Sequence, residues 1–207
     1  MYPDSTWLIA VAAVAAAYAI GSLTSAVVVS RALGLPDPRY AGSKNPGATN
    51  VLRLGGKLPA ALTLIADVLK GTLPVAVAML WLSGWPLMAV AAAPFLGHLF
   101  PLYSGLRNGG KGVATGLGVY IALAPPVAGS LVATWLAVAA LTRYSSLSAL
   151  AAAVSVPLWS AFWYPGSTPL LGLGVVLAVL LVYRHKDNIA RLLRGEESRI
   201  GDKSKTA

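Results

Sequence analysis

Cysteine is absent from the 207 residues, which excludes disulfides, thiolate metal sites and cysteine nucleophiles. Acidic residues are scarce as well, seven against sixteen lysines and arginines, and there are only two histidines. With so few carboxylates and imidazoles, no His/carboxylate cluster points to a metal and no Ser-His-Asp set can be assembled, so neither a metal nor a cofactor is expected. Charged residues of both signs make up only 11% of the chain, too few to cover the surface of a water-soluble domain of this length.

What fills the chain instead is apolar: 57% of residues are hydrophobic and the mean hydropathy is +0.70. The apolar residues arrive as long runs separated by short polar clusters, the pattern of a single multi-span membrane domain over residues 1–207. A net charge of +9 raises the question of nucleic acid. In so apolar a chain it is better matched to anionic lipid or a phosphorylated substrate, and no nucleic-acid partner is expected. Met1-Tyr2-Pro3-Asp4 lacks the basic start of a signal peptide, so the first apolar run is expected to remain as an anchor.

The expected fold is all-α with seven transmembrane helices. The spans read as Trp7–Ser30, Leu58–Leu82, Leu87–Tyr103, Val113–Ala124, Val127–Leu141, Ser146–Trp163 and Pro169–Tyr183. Between them lie polar loops at about 31–57, 104–112 and 142–145, and a charged tail covers 184–207. The segment after Gly112 is short for a bilayer core of ~30 Å, so it is tilted or the glycine loop before it dips inward. Of the sixteen basic residues, only Lys70 falls inside a span; the others gather in those three loops and the tail. The alternate turns near Gly84, Pro125 and Pro165 carry none, while Trp7, Trp81, Trp85 and Trp163 collect on that side. The positive-inside bias and the aromatic belt therefore put the N-terminus outside and the C-terminus in the cytoplasm. Asp67 and Lys70 lie three apart on one helical face at membrane depth, as a structural ion pair or as part of a site.

Three polar segments carry the chemistry. Gly42 to Arg53 reads Gly-Ser-Lys-Asn-Pro-Gly-Ala-Thr-Asn-Val-Leu-Arg, a stretch that cannot hold a regular helix through Pro46. Ser43 and Arg53 are its candidate catalytic residues, with Asn45, Thr49 and Asn50 as candidate phosphate donors. Gly105 to Gly112 nearly satisfies the phosphate-loop pattern, but Gly112 stands where the magnesium-binding hydroxyl belongs and no strand precedes it. The nucleotidase reading falls away while the physics stays: Gly109, Gly110 and Gly112 with Lys111 precede a helix start at Val113, which makes an anion cradle. In the tail, His185 and Asn188 share one helical flank, and an imidazole at a membrane surface can donate to phosphate or accept a hydroxyl proton. Neither histidine is followed by aspartate at His-x4-Asp spacing, the places being held by Tyr103 and Ala190, so the usual signature of thioester-using membrane acyltransferases is missing.

These motifs, in this order, resemble the acylphosphate-dependent glycerol-3-phosphate acyltransferase family of bacteria, known as PlsY. The likeness spans Gly21-Ser22, the Gly42–Arg53 stretch, Asp67 with Lys70-Gly71, Gly97-His98 and Pro101. It continues through Gly109–Thr115, Arg143-Tyr144-Ser145-Ser146 and His185 with Asn188-Ile189 and Arg191-Leu192. It implies a seven-span enzyme of the bacterial inner membrane, with its active site facing the cytoplasm. The implied reaction moves a fatty acyl group from acyl phosphate to the 1-hydroxyl of glycerol 3-phosphate, giving lysophosphatidic acid and inorganic phosphate. By motif position, Ser43 and Arg53 serve the first family motif, Lys111 and its glycines the second, and His185 with Asn188 the third. Glu196 matches the third motif's acidic residue in a structural role. Glycerol 3-phosphate, acyl phosphate and membrane lipid are the implied partners, without an obligate protein partner. Lys44 departs from the family's common glycine, Asn108 from a lysine, and Leu23-Thr24 from Ile-Pro. A transporter for phosphate or an organic phosphate is the competing class, and it lacks support because no internal repeat is evident and the motifs collect on one face.

Overall fold

In the computed structural model, which describes residues 4–201, every regular element is helical. Met1–Pro3 and the end of the charged tail, with Lys203 and Lys205, lie outside the described residues. Two compact units divide the chain, Met1–Pro125 and Pro126–Ala207.

The first unit contains α1 (Asp4–Gly21), α2 (Ser25–Ala32), α3 (Ala48–Gly55), α4 (Lys57–Ala78), α5 (Gly84–Leu99) and α6 (Val113–Leu123). Two close pairings organise it, α1 on α5 and α4 on α6, and both are made possible by glycine. A methyl group on Gly21 would strike the Pro94 backbone and one on Gly97 the Tyr18 carbonyl. Gly71 and Gly118 likewise bring α4 against the backbone of α6, as small residues do where helices must associate without a hydrophobic drive. Thr72 Oγ1 donates across this contact to the Gly118 carbonyl at 2.9 Å. An apolar layer of Ala10, Ala17, Ala78, Leu82, Leu87 and Val90 closes the end where Trp7, Trp81 and Trp85 stand exposed. The polar segments that follow α2 and α5 therefore lie at the opposite end of this unit.

The second unit contains α7, which begins at the boundary (Pro125–Thr142), then α8 (Ser145–Trp163), α9 (Thr168–Arg184) and α10 (Lys186–Leu193). Trp159 Nε1 and Trp163 Nε1 donate from α8 to Thr134 and Ser130 of α7 at 3.2 and 2.9 Å. Arg143 makes the tight turn from α7 to α8 with φ 62°, a left-handed conformation unusual for a residue with a side chain.

Among the described residues, four segments are long and apolar enough to cross a membrane: α4, α5 with the turn after it, α7 and α8. The bent pairs α1–α2 and α9–α10 bring the number to six if each is one span, and α6 is apolar but only 11 residues long. The expected first span, Trp7–Ser30, is thus broken, bending by 41° across Ser22–Thr24. The third expected span, Leu87–Tyr103, falls within the crossing stretch Gly84–Ser104, whose α-helical part ends at Leu99. Pro101 disfavours helical geometry for the residue before it, and a short 3-10 turn over Leu102–Ser104 follows. The polar stretch before Arg53 also holds a helix not expected there, since α3 starts directly after Pro46-Gly47.

Candidate functional site

In the first unit the Gly42–Arg53 stretch is folded around the side chain of Asn50. Its Oδ1 accepts the Ser43 amide at 2.9 Å, and its Nδ2 donates to the carbonyls of Pro38 and Ala41 at 3.0 Å each. Asn50 is only 1% exposed, and both ends of its amide are committed to the loop. Through these bonds Asn50 shapes the loop that presents Ser43. Gly42 has φ 60° and no room for a Cβ beside the Asn50 side chain, so glycine is required there twice over. Lys44, at the family's glycine position, sits at φ 54°, so the departure places a side chain in left-handed geometry. Ser43, Thr49 and Arg53 are exposed and Asn45 is half-buried. Thr49 and Arg53, four apart on α3, share a face, while Asn50 and Val51 form its buried side.

The second glycine segment leans on the end of α5. A methyl group on Gly109 would overlap the Leu99 carbonyl, one on Gly110 the His98 ring, and one on Gly112 the Phe95 ring. The Gly110 amide donates to the His98 carbonyl at 3.1 Å. Gly110 thus seats the loop on the end of α5 through its amide. Gly112, at φ 84°, is the residue before α6, and the first bond of that helix runs from the Gly116 amide to the Gly112 carbonyl. The amides of the first turn have no acceptor within the helix and carry the positive end of its dipole, with Lys111 directly before them.

Behind this loop lies a buried charged cluster. Lys70 Nζ is 2.9 Å from Asp67 Oδ1 and donates to the Leu23 carbonyl at 2.7 Å, while His98 Nδ1 is 3.6 Å from the same Asp67 oxygen. Asp67 and Lys70 thus form an ion pair, and the break between α1 and α2 supplies the carbonyl that completes the shell of the ammonium.

In the second unit His185 occupies the 59° bend between α9 and α10. Its Nδ1 lies 2.9 Å from the Leu181 carbonyl oxygen, which can only accept. The neutral ring therefore carries its proton on Nδ1 and keeps the lone pair on Nε2. Asn188, one turn on, donates through Nδ2 to Glu197 Oε1 at 2.6 Å. Glu197 also accepts from Ser146 Oγ at 2.7 Å and from Arg191 Nε at 2.6 Å. Burial raises the carboxyl's pKa, but the bonds from Ser146, Asn188 and Arg191, with the charge of Arg191, outweigh it and hold it below its ordinary value. Glu196, expected to be the structural acid, is 57% exposed and pairs only with Arg194, so the assignment moves by one residue to Glu197. The segment then crosses to the α7–α8 turn, where the Ile200 amide donates to the Arg143 carbonyl at 2.6 Å and Arg143 returns a bond to the Ile200 carbonyl at 2.9 Å.

The first unit thus holds Ser43, Asn45, Thr49, Arg53 and the Lys111 loop, and the second holds His185 and Asn188. Apolar helices long enough to cross a membrane, joined by glycine-rich basic segments with a buried ion pair behind one of them, define an integral membrane protein. Residues 11–195 match the family described as glycerol-3-phosphate acyltransferase, and the chain belongs to that family. The glycerol-3-phosphate acyltransferase of Methylococcus capsulatus is 55% identical over 188 residues, covering 90% of this chain and 94% of the relative. That of Thioalkalivibrio sulfidiphilus is 53% identical, covering 96% and 97%. The fold is similar to crystal structures of PlsY, an integral membrane glycerol 3-phosphate acyltransferase. Its glycerol 3-phosphate form superposes with a TM-score of 0.87 at 39% identity, covering 93% of this chain and 96% of that one. Its lysophosphatidic acid form gives 0.85 at 38%, covering 93% and 95%.

Proposed function

We propose that this chain transfers a fatty acyl group from acyl phosphate to the 1-hydroxyl of glycerol 3-phosphate, releasing lysophosphatidic acid and inorganic phosphate. The observation that carries this reading is the likeness over nearly the whole chain to a glycerol 3-phosphate acyltransferase solved with that substrate and with a lysophosphatidic acid. The donor assignment rests on the family resemblance and on the missing His-x4-Asp signature. An acyl phosphate is an activated mixed anhydride, so transfer requires neither a metal nor a covalent enzyme intermediate. The glycerol hydroxyl oxygen bonds to the acyl carbon, the bond from that carbon to the phosphate oxygen breaks, and the phosphate leaves with the electron pair.

In this reading Arg53, Lys111 and the first-turn amides of α6 hold phosphoryl groups, Asn45 and Thr49 add short donors, and Ser43 and Asn188 orient the glycerol. The hydroxyl proton goes to His185 Nε2, the lone-pair nitrogen defined by the bond to Leu181, or to an oxygen of the departing phosphate. Replacing His185 with Asn separates the two routes: a rate lowered about a hundredfold or more with a changed pH profile supports the imidazole. An unaltered rate and profile assign the proton to phosphate. A seven-span chain, with α6 as the short span, the N-terminus outside and the basic loops in the cytoplasm of a bacterial cell, completes the proposal.

The deciding assay supplies purified protein in lipid with palmitoyl phosphate and glycerol 3-phosphate, and in parallel with palmitoyl coenzyme A. Phosphate release that requires both substrates, with lysophosphatidic acid formed only from the acyl phosphate, is expected. Turnover with the thioester overturns the donor assignment, and folded protein that turns over neither donor but takes up phosphate is a transporter.

A further inference from the structure

We propose that His98 is a positioning residue for the phosphate cradle: its ring sets the spacing between the loop that carries Lys111 and the first turn of α6. The inference rests on the reading of Gly109–Gly112 as a phosphate site and gives a role to a buried histidine that the transfer chemistry leaves unused. His98 occupies the last turn of α5, where backbone carbonyls lack helical donors, and its carbonyl takes the Gly110 amide at 3.1 Å. The Nε2 edge of the ring lies so close to the Gly110 Cα that no side-chain atom fits between them. On its other edge, Nδ1 is 3.3 Å from Thr115 Oγ1, in the first turn of α6. One ring therefore touches the chain on both sides of Lys111 and Gly112.

Behind the ring stands the buried ion pair. Asp67 Oδ1 stands 3.6 Å from Nδ1, and Asp67 is fixed in turn by Lys70 at 2.9 Å. Lys70 is tied to the Leu23 carbonyl, and all three side chains are at most 7% exposed. Packed, bonded rings of this kind have one position, so the cradle they support has one width. An anion site depends on such preorganisation, because donors displaced by an ångström lose much of their hold on the ligand.

The test is a kinetic series in lipid with both phosphorylated substrates varied. His98→Asn places its amide where Nδ1 was and keeps a partner for Thr115, but removes the edge that meets Gly110. It is expected to raise KM for one phosphorylated substrate about tenfold with a smaller change in kcat and little change in unfolding temperature. His98→Gln, which reaches the Nε2 position, is expected to recover part of that loss. Gly110→Ala, which drives a methyl into the ring, is expected to lose affinity for the same substrate, and adding His98→Asn to it is expected to restore some. Lys111→Met serves as the reference: the substrate whose KM it raises, glycerol 3-phosphate or the acyl phosphate, is the one the cradle holds. If Lys111→Met moves neither KM, the cradle reading fails. If it moves one while both His98 variants leave that KM unchanged, or if Gly110→Ala is not relieved by His98→Asn, the cradle stands and the positioning role is overturned.

Discussion

Replacing Glu197 with alanine is expected to destabilise the protein by about 2–4 kcal/mol and to lower kcat at least about tenfold, whereas the same change at Glu196 is expected to stay within about 0.5 kcal/mol. The difference follows from what each carboxylate touches. Glu197 has an 8% exposed side chain and accepts three hydrogen bonds, from Ser146 on α8 and from Asn188 and Arg191 on α10. Removing it leaves three donors without their acceptor and releases the Asn188 amide from the geometry in which it faces substrate in the proposed mechanism. Glu197→Gln keeps the shape and one acceptor but sets an amide against Arg191, so an intermediate loss is expected. Unfolding temperatures and steady-state rates of the three variants check the ordering, and equal effects at Glu196 and Glu197 would remove the clamp from the account. A pH dependence accompanies it. Because folding lowers the Glu197 pKa from 4.5, its contribution is complete above about 4.5 and is lost as the pH falls through the lower folded value. In Glu197→Gln the loss of stability on acidification below about pH 4.5 is therefore expected to be shallower.

Why the sequence misplaced this clamp by one residue is instructive. Helical periodicity put His185 and Asn188 on one flank, whereas the structure sets His185 at the bend before α10 and only Asn188 within that helix. Periodicity ends with the helix at Leu193, however, and Gly195 at φ 69° turns the chain in a direction that no spacing rule encodes. Glu196 and Glu197 point to different surroundings for that reason alone. Asn50 and Gly110 illustrate the same limit: composition identified them as polar donors and flexible backbone, but only their contacts show their hydrogen bonds spent inside the protein. The apolar segments were legible because burial and lipid exposure write long, contiguous patterns. The bends at Ser22–Thr24 and at His185 were less so, since each depends on a partner distant in sequence or on a terminal carbonyl finding a side chain. Lys70 and Asp67 fall between these cases. Their three-residue spacing announced a possible pair, and the structure adds His98 and the Leu23 carbonyl, which spacing does not reveal.

Removing one partner of that pair is expected to have the largest effect on stability in the molecule. In Asp67→Ala the Lys70 ammonium stays buried on α4 with the Leu23 carbonyl but without its counter-charge, and the expected cost is about 3–5 kcal/mol. Lys70→Met leaves the Asp67 carboxylate beside His98 and is expected to cost a similar amount. Replacing both, as Asp67→Asn with Lys70→Met, removes the two charges together and is expected to cost less than the sum of the single changes, because no lone charge remains to be desolvated. Thermal unfolding in detergent and the yield of folded protein from the membrane measure the cycle, and strict additivity would mean that the two charges do not stabilise each other. Activity carries separate information. The pair stands directly behind His98, whose carbonyl seats Gly110, so if the charges help to set the ring the double variant is expected to recover folding while keeping a raised KM for the substrate that Lys111 holds. A stable double variant with the native KM would confine the ion pair to holding α4 against the break between α1 and α2, and the width of the cradle would then depend on His98 and Thr115 without help from the charges behind them.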